Sequence, residues 1–424
     1  MTLESALKAA REAYAERNPN SKAAYDTAVQ VLPGGGTRTT LACEPFPIYI
    51  ASGKGGEMTD VDGHVYKDFL SDFTSGIYGK SHPALQAAIS KALTTGVQFG
   101  GHTTSEARFA AGLVARFPSM ELVRFCNSGT EANLNAIGAA LKHTKRKKVV
   151  VFEGAYHGSL LCRFSQNEPE DVPGVLRAPY VSEVSLSVKA LLDPITTEIG
   201  AILVEPMLGA GGAVPGDPVF LEGLRELATR IGAVLIFDEV QTSRLSPGGR
   251  QALLGITPDM TTVGKYFGGG FAFGAFGGKR EIMDMFDVRR PNPVSHGGTF
   301  NNSALTMVAG ATALEQILTP EALSNLNALG DTMRDMLNSG FQTSGAPFKV
   351  TGLGSVNQIH CTLANELRNS AHDLLFFGLL ERGYWTAQRG TLALNFQNTS
   401  EDVEEFVAAV VDAAQAVTVA ANGN

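Results

Sequence analysis

"AVLIFDEVQTSR", residues 233–244, is a run of apolar residues that stops abruptly on two acids. "TTVGKYFGGG", residues 261–270, follows soon after, with one lysine beside a glycine and three residues ahead of a glycine triplet. The apolar run reads as a short, fully buried strand. A carboxylate at its mouth, Asp238, is costly to bury without a cationic partner, although an Asp capping the next helix gives the same pattern. Lys265 sits at an approachable turn stripped of bulk, where an amine can form a Schiff base with a carbonyl. A solvated surface lysine is the default reading of any single Lys.

The surrounding chain repeats the strand pattern. From about residue 84, helical segments such as "ALQAAISKAL" and "EARFAAGLVARF" alternate with the short apolar runs "LVRFCNSG", "KKVVVFEG", "AILVEP" and "AFGAFGG". Short apolar strands spaced by helices predict an α/β fold with a parallel or mostly parallel sheet covered on both faces. Before this region, "PIYIASGKGGEMTDVDGHVYKDFL" alternates apolar and polar residues around the turn signal "DVDG", as antiparallel strands do. The last ~100 residues mix helix and strand and predict a smaller α+β domain. The expected division is 1–65, an N-terminal segment joining the small domain, then 66–315, the large domain, and 316–424, the small domain.

Composition narrows the function classes. The chain has 424 residues, is 44% hydrophobic and carries a formal net charge of -8, enough for a large core. No basic stripe points to nucleic acid. The one dense cluster, "KHTKRKK" at 142–148, runs into a strand-like segment and reads as a solvated helix end. Cys43, Cys126, Cys162 and Cys361 lie far apart without CxxC spacing, so neither a metal site nor a disulfide framework is suggested and a reducing cytoplasm is expected. The charged N-terminus, "MTLESALKAAREAYAERNPNSKAAYD", reads as an amphipathic helix rather than a signal peptide. No apolar run reaches the ~18 residues of a membrane span.

In an open α/β sheet, ligands gather at the carboxyl ends of the strands, and several polar groups fall there. "FCNSGTEAN" is strand, then Ser128-Gly129-Thr130, then an apparent helix. Two hydroxyls and a glycine at a helix N-terminus suit a phosphate, and equally an ordinary N-cap. "FEGAYHGS" places Tyr156 and His157 after another strand, where an aromatic among small residues can stack on a flat ring or serve structure alone. Taken in order, the set is an anion cradle, a stacking aromatic, an acid for a ring nitrogen and an amine nucleophile. Pyridoxal 5′-phosphate, with its phosphate, flat ring, pyridine nitrogen and aldehyde, accounts for all four.

At this point the chain resembles the class III, fold type I pyridoxal-phosphate aminotransferases. "NSGTEAN", "YHG", "VEP", "FDEVQTSR", "TPDMTTVGKYFGGG" and "GTFNNS" match that family in order and span the large domain. "PGGGTR", "SGIYGKSHP" and "GGTFNN" place it beside the glutamate-1-semialdehyde aminomutase branch, and it is similar to β-amino acid aminotransferases of the β-phenylalanine type. The resemblance implies a mostly parallel seven-stranded sheet. It implies that Lys265 bonds the cofactor and shuttles a proton, that Asp238 pairs with the pyridinium and that Tyr156 stacks on the ring beside His157. Ser128, Gly129 and Thr130 would hold the phosphate, with Thr299 reaching the phosphate of the neighbouring subunit in a homodimer with shared sites. Glu205 and Gln241 would lie near the ring's hydroxyl.

For substrate, the resemblance assigns the β-amino acid's carboxylate to Arg38 and the 2-oxoglutarate carboxylate to Arg389, with Tyr78 lining the pocket. Arginine binds carboxylates bidentately. Trp385 and Gln388 beside Arg389 are a departure that bears on its room to move. The expected reaction is a ping-pong transfer from a β-amino acid to 2-oxoglutarate or pyruvate. Its rivals are an aminomutase, an amine transaminase with carboxylate-free donors, and a non-catalytic protein of the same fold, against which Lys265 and Asp238 argue.

Overall fold

The computed structural model describes residues 2–159, 174–180 and 196–423; Cys162 lies outside them. Two compact units emerge: Met1–His82 with Asn325–Asn424, and Pro83–Ser324.

The first unit opens with α1 (Leu3–Arg17) and α2 (Pro19–Ala28). The N-terminal stretch expected as one helix is therefore two. Asn18 leaves the helical region at φ -124°, ψ 52°, and Pro19, which has no N–H to donate, fits the first position of the second helix. Then come β1 (Ile50–Lys54), β2 (Glu57–Asp60) and β3 (Val65–Asp68), an antiparallel meander whose second turn is the "DVDG" stretch.

The second unit begins with α3 (Pro83–Leu93) and α4 (Thr104–Arg116), followed by β4 (Leu122–Cys126), α5 (Gly129–Thr144), β5 (Lys148–Phe152), β6 (Val175–Ala178) and β7 (Ile199–Val204). A short ribbon of β8 (Met207–Leu208) and β9 (Val214–Pro215) leads to α6 (Pro218–Ile231), β10 (Val234–Asp238), β11 (Met260–Gly264), β12 (Gly274–Gly278) and α7 (Ala304–Gln316). Seven strands form one sheet in the order β4-β12-β11-β10-β7-β5-β6. It is parallel except for β12, which runs antiparallel to both β11 and β4.

The period-two rule of a strand explains why these runs are apolar throughout. Val149, Val151, Ala201, Leu203, Val234 and Ile236 pack in one core cluster with Ala132 and Ala136 of α5. Their alternates Val150, Phe152, Ile202, Val204, Leu235 and Phe237 pack in another with Phe220, Leu221 and Leu224 of α6. Helix α6 buries Phe220, Leu221, Leu224, Leu227 and Ala228 on one stripe, and each large side chain is worth roughly 1.5–3 kcal/mol of burial. It is capped by Asp217, which accepts from Val219 N at 2.8 Å, and ends at Gly232 with φ 66°.

The first unit resumes at Asn325, within a helix over Pro320–Ser344, and continues with β13 (Phe348–Leu353) and β14 (Val356–Cys361), then α8 (Asn365–Glu381), β15 (Tyr384–Trp385), β16 (Thr391–Ala393) and α9 (Ser400–Asn422). β15 joins the meander parallel to β3, while β13, β14 and β16 make an antiparallel sheet. Helix α9 starts with a reciprocal capping box between Thr399 and Asp402. No helix among the described residues is long and apolar enough to cross a membrane.

Candidate active site

Parity decides where Asp238 points. It continues the series Val234, Ile236, so its side chain turns to the face covered by α5 and is 3% exposed. There its Oδ2 accepts from Asn133 Nδ2 at 2.7 Å and meets His157 Nδ1 at 2.8 Å. Its Oδ1 accepts from Val240 N at 3.0 Å. Asn133 also donates to His157 O at 3.1 Å and accepts from Thr262 Oγ1 at 2.7 Å. One amide on α5 thus ties the ends of β5, β10 and β11 together. The sequence reading gave Asn133 no role. A polar residue one turn into a helix looks solvated until the register shows it on the core face, where it is 1% exposed.

Lys265 follows β11. Asp238 pairs in register with Thr262 on the parallel neighbour, so the lysine comes three residues beyond the acid's own level. It opens a short 3-10 turn, Lys265–Gly268, with φ 55°, a region that non-glycine residues rarely occupy. The glycines around it are matters of approach. A Cβ on Gly268 would lie 2.6 Å from Phe273 Cβ, and one on Gly269, at φ +63°, would lie 2.6 Å from Ala309 Cβ of α7. The loop is stripped of bulk because Phe273, just ahead of β12, and helix α7 crowd it.

The anion cradle stands next to the lysine. A Cβ on Gly264 would come within 3.5 Å of Gly129 N, so the residue before Lys265 lies against the start of α5. Ser128 caps that helix by accepting from Glu131 N at 3.1 Å. The first N–H groups of a helix, here at Gly129 and Thr130, have no intrahelical acceptor and favour an anion. Gly158 packs so closely that a Cβ there would sit 2.2 Å from Thr130 Oγ1, which draws the Tyr156–His157 segment onto the cradle.

Tyr156 presents its ring with 49% exposure, and its backbone N donates to Glu205 Oε2 at 2.8 Å. Glu205 also accepts from Gly209 N at 3.1 Å. A Cβ on Gly209 would lie 2.3 Å from the Gln241 carboxamide, which places Gln241 against the same turn. Burial pushes the Glu205 carboxyl up to about 7; His157 opposes that shift and Asp238 adds to it. Thr299 is exposed on a loop whose Asn301 accepts from Asn127 Nδ2 at 3.0 Å, anchoring it beside Ser128.

Pyridoxal phosphate fits this set. An ionised carboxylate has about four acceptor sites. Asp238 uses three on Asn133, His157 and Val240, and among the described residues it has no Lys or Arg partner. One acceptor site remains for a protonated ring nitrogen. The helix start at Gly129, the exposed Tyr156 ring and Lys265 are the groups that would meet its phosphate, ring and aldehyde.

The other expected residues, Arg38, Tyr78 and Arg389, belong to the first unit. Arg38 and Arg389 are brought together there, each guanidinium carbon 5.4 Å from the centroid of the Phe73 ring. Phe73 also lines a cavity of about 130 Å³ with Leu41, Ile50, Leu70, Phe376 and Trp385. Gln388 is turned away onto Asp373, and Arg389 Nε donates to Thr391 Oγ1 at 3.2 Å. Tyr78 is buried edge-on to His82.

The profile of the family "Aminotransferase class-III" matches residues 40–413. The β-phenylalanine transaminase of Variovorax paradoxus is 41% identical over 418 residues, 96% of this chain and 95% of that one. A glutamate-1-semialdehyde 2,1-aminomutase 2 of Brevibacillus brevis is 35% identical over 412 residues, 91% of this chain and 96% of that one. The crystal structure of a β-phenylalanine aminotransferase from Variovorax paradoxus superposes with a TM-score of 0.93 at 40% identity, covering 97% of each chain.

Glu205 generates a prediction about stability. Its folded-state value lies above the ordinary 4.5, at about 7. The uncharged carboxyl therefore contributes stability that is fully present below 4.5 and lost as pH rises through about 7. Glu205→Gln is expected to gain on the wild type as pH rises across that window, read as the difference in urea midpoints of the two apoenzymes. A difference that stays constant with pH contradicts the assignment.

Proposed function

We propose that this chain, which belongs to the class III aminotransferases, moves the amino group of a β-amino acid with an aromatic or aliphatic β-substituent to a keto acid such as 2-oxoglutarate or pyruvate. It is a pyridoxal-phosphate enzyme. When bound, the cofactor supplies an aldehyde for the donor's amine and a protonated ring that accepts electron density from the reacting carbon.

The residues around it do the rest. Lys265 Nζ is the base that would take the proton from the donor's amine-bearing carbon and hold it beside the cofactor. Asp238 keeps the ring nitrogen protonated through its remaining acceptor site, and Asn133 and His157 hold that carboxylate in place. The N–H groups that open α5 would bind the phosphate, and the Tyr156 ring would cover the cofactor's face. Glu205 fixes the Tyr156 backbone, and Gln241 lies against the same turn, where the two would face the cofactor's hydroxyl. The same residues would serve the donor and, in the reverse direction, the keto acid acceptor. The assembly we infer is a cytoplasmic homodimer in which Thr299 completes the partner's phosphate site.

The observation that carries the substrate reading is the pairing of two exposed arginines with an apolar cavity that share one wall, Phe73. An apolar cavity of about 150 Å³ admits benzene, so 130 Å³ suits one compact side chain. Arg38 would take the donor's carboxylate and Arg389 the acceptor's. The similarity to an aminomutase supports a second reading, transfer within one molecule. Product formation that requires no external keto acid would establish it.

Two variants test these roles. Asp238→Asn is expected to keep the fold and lower kcat on the order of 10²-fold or more, as loss of a preorganised charge does; kcat within a few-fold of wild type contradicts the role. Arg38→Ala, assayed as glutamate formed from 3-amino-3-phenylpropanoate and 2-oxoglutarate, is expected to raise KM for the donor roughly 30-fold or more, the cost of removing one partner of a charged pair. An unchanged donor KM, with activity toward 1-phenylethylamine retained, would instead make the protein an amine transaminase.

A further inference from the structure

Residues Ser71, Asp72, Phe73 and Thr74 have φ of 48°, 44°, 52° and 78°. L-residues visit this left-handed region singly, and four in succession persist only where the surroundings hold them. The holding is visible. Asp68 Oδ1 accepts from Leu70 N at 2.9 Å and Ser71 N at 2.8 Å, and Lys80 pairs with the other oxygen at 2.5 Å. Ser71 Oγ donates to Ala393 O at 2.8 Å and accepts from Asn395 Nδ2 at 3.2 Å. Gly76 N donates to Ser71 O at 2.7 Å. Asp68, Ser71 and Asn395 are fully buried.

What this turn presents is the floor beneath both arginines. Phe73 lies 5.4 Å from the guanidinium carbon of each, and the negative faces of the ring let two like charges share it. Asp72 Oδ1 accepts from Arg38 Nη1 at 2.8 Å, while its Oδ2 is occupied by Ser75 Oγ at 2.9 Å. Asp72 therefore grips one corner of Arg38. The opposite edge, Nε with Nη2, has no hydrogen-bond partner among the described residues. That edge is the two-donor fork that matches a carboxylate.

We propose that Asp72 and Phe73, fixed by the left-handed turn, are positioning residues for carboxylate recognition: Asp72 orients Arg38, and Phe73 seats Arg38 and Arg389 together. The proposal rests on the reading that Arg38 binds the donor's carboxylate. A competing role is open to Asp72, since its charge also repels an incoming carboxylate. Arg38 and Asp72 are about half exposed, so that repulsion is screened to roughly its value in water. Orientation of a long, mobile side chain is the larger effect, and it fixes the sign of the experiment.

The test uses the holoenzyme and 3-phenylpropanoate, which has the donor's ring and carboxylate but no amine and cannot turn over. Titration calorimetry of Asp72→Ala is expected to show binding weaker by about 3- to 10-fold, the cost of re-ordering one long side chain. Asp72→Asn, which keeps the accepting oxygen, is expected to bind at least as tightly as wild type. Phe73→Leu is expected to weaken 3-phenylpropanoate and to raise KM for 2-oxoglutarate by similar factors. The ratio of kcat/KM for 3-amino-3-phenylpropanoate to that for 1-phenylethylamine is expected to fall in Asp72→Ala in step with the calorimetry. Tighter binding in Asp72→Ala would overturn the proposal by making Asp72 a competitor for Arg38. An equal loss toward both donors would reduce the turn to a structural element. Arg38→Ala separates the two levels. If it leaves 3-phenylpropanoate binding unchanged, the reading of Arg38 falls and takes the proposal with it. If it weakens binding while Asp72→Ala does not, only the positioning role falls.

Discussion

A carboxylate buried at the end of a strand is the constraint around which the second unit is arranged. Asp238 is inside because its position in β10 leaves it no choice of face, and a charge there is costly unless its lone pairs are taken up. Asn133, His157 and the backbone of Val240 take three of them. Each comes from a different element, so satisfying one acid fixes α5, the segment after β5 and the turn after β10 relative to one another. The acceptor site left over is where a cationic ring nitrogen would be accommodated. An apolar replacement would relieve the cost and remove that site.

The same edge of the sheet gathers the remaining chemistry because parallel strands all end there. Gly264 against Gly129, Gly158 against Thr130 and Gly209 against Gln241 are contacts a side chain would block. They bring the lysine, the helix start, the aromatic and the acid of Glu205 into one neighbourhood. The glycines of "NSGT", "YHG" and "VGK" thus act through how near they let the backbone come. In the first unit a different device does comparable work, with a turn of four left-handed residues seating two arginines over one ring.

Much of this was legible in the chain. Short, mostly apolar runs announced strands buried on both faces, and polar residues at their ends marked Ser128, Tyr156 and Asp238, while Glu205 was implied only by the family resemblance. What escaped depends on three-dimensional register. Asn133 is a polar residue on the buried side of α5, and no spacing in the sequence marks it. β11, "MTTVG", carries threonines that look like loop until Thr261 and Thr262 are seen buried between β10 and β12. The antiparallel sense of β12 is set by the tight return from the Lys265 turn, which leaves no room for a crossover helix. Four left-handed residues in "SDFT" have no glycine to signal them. The break at Asn18 was signalled by Pro19, and the amphipathic pattern on either side masked it.

The most direct measurement is a single half-reaction. Purified holoenzyme is mixed with 3-amino-3-phenylpropanoate in the absence of any keto acid, and its absorption spectrum is followed; 2-oxoglutarate is then added. The account predicts that the long-wavelength band of the lysine-bound cofactor collapses with the donor and returns with the acceptor. A band that ignores the β-amino acid yet collapses with 1-phenylethylamine would leave the cofactor site intact and contradict the assignment of a β-amino acid donor.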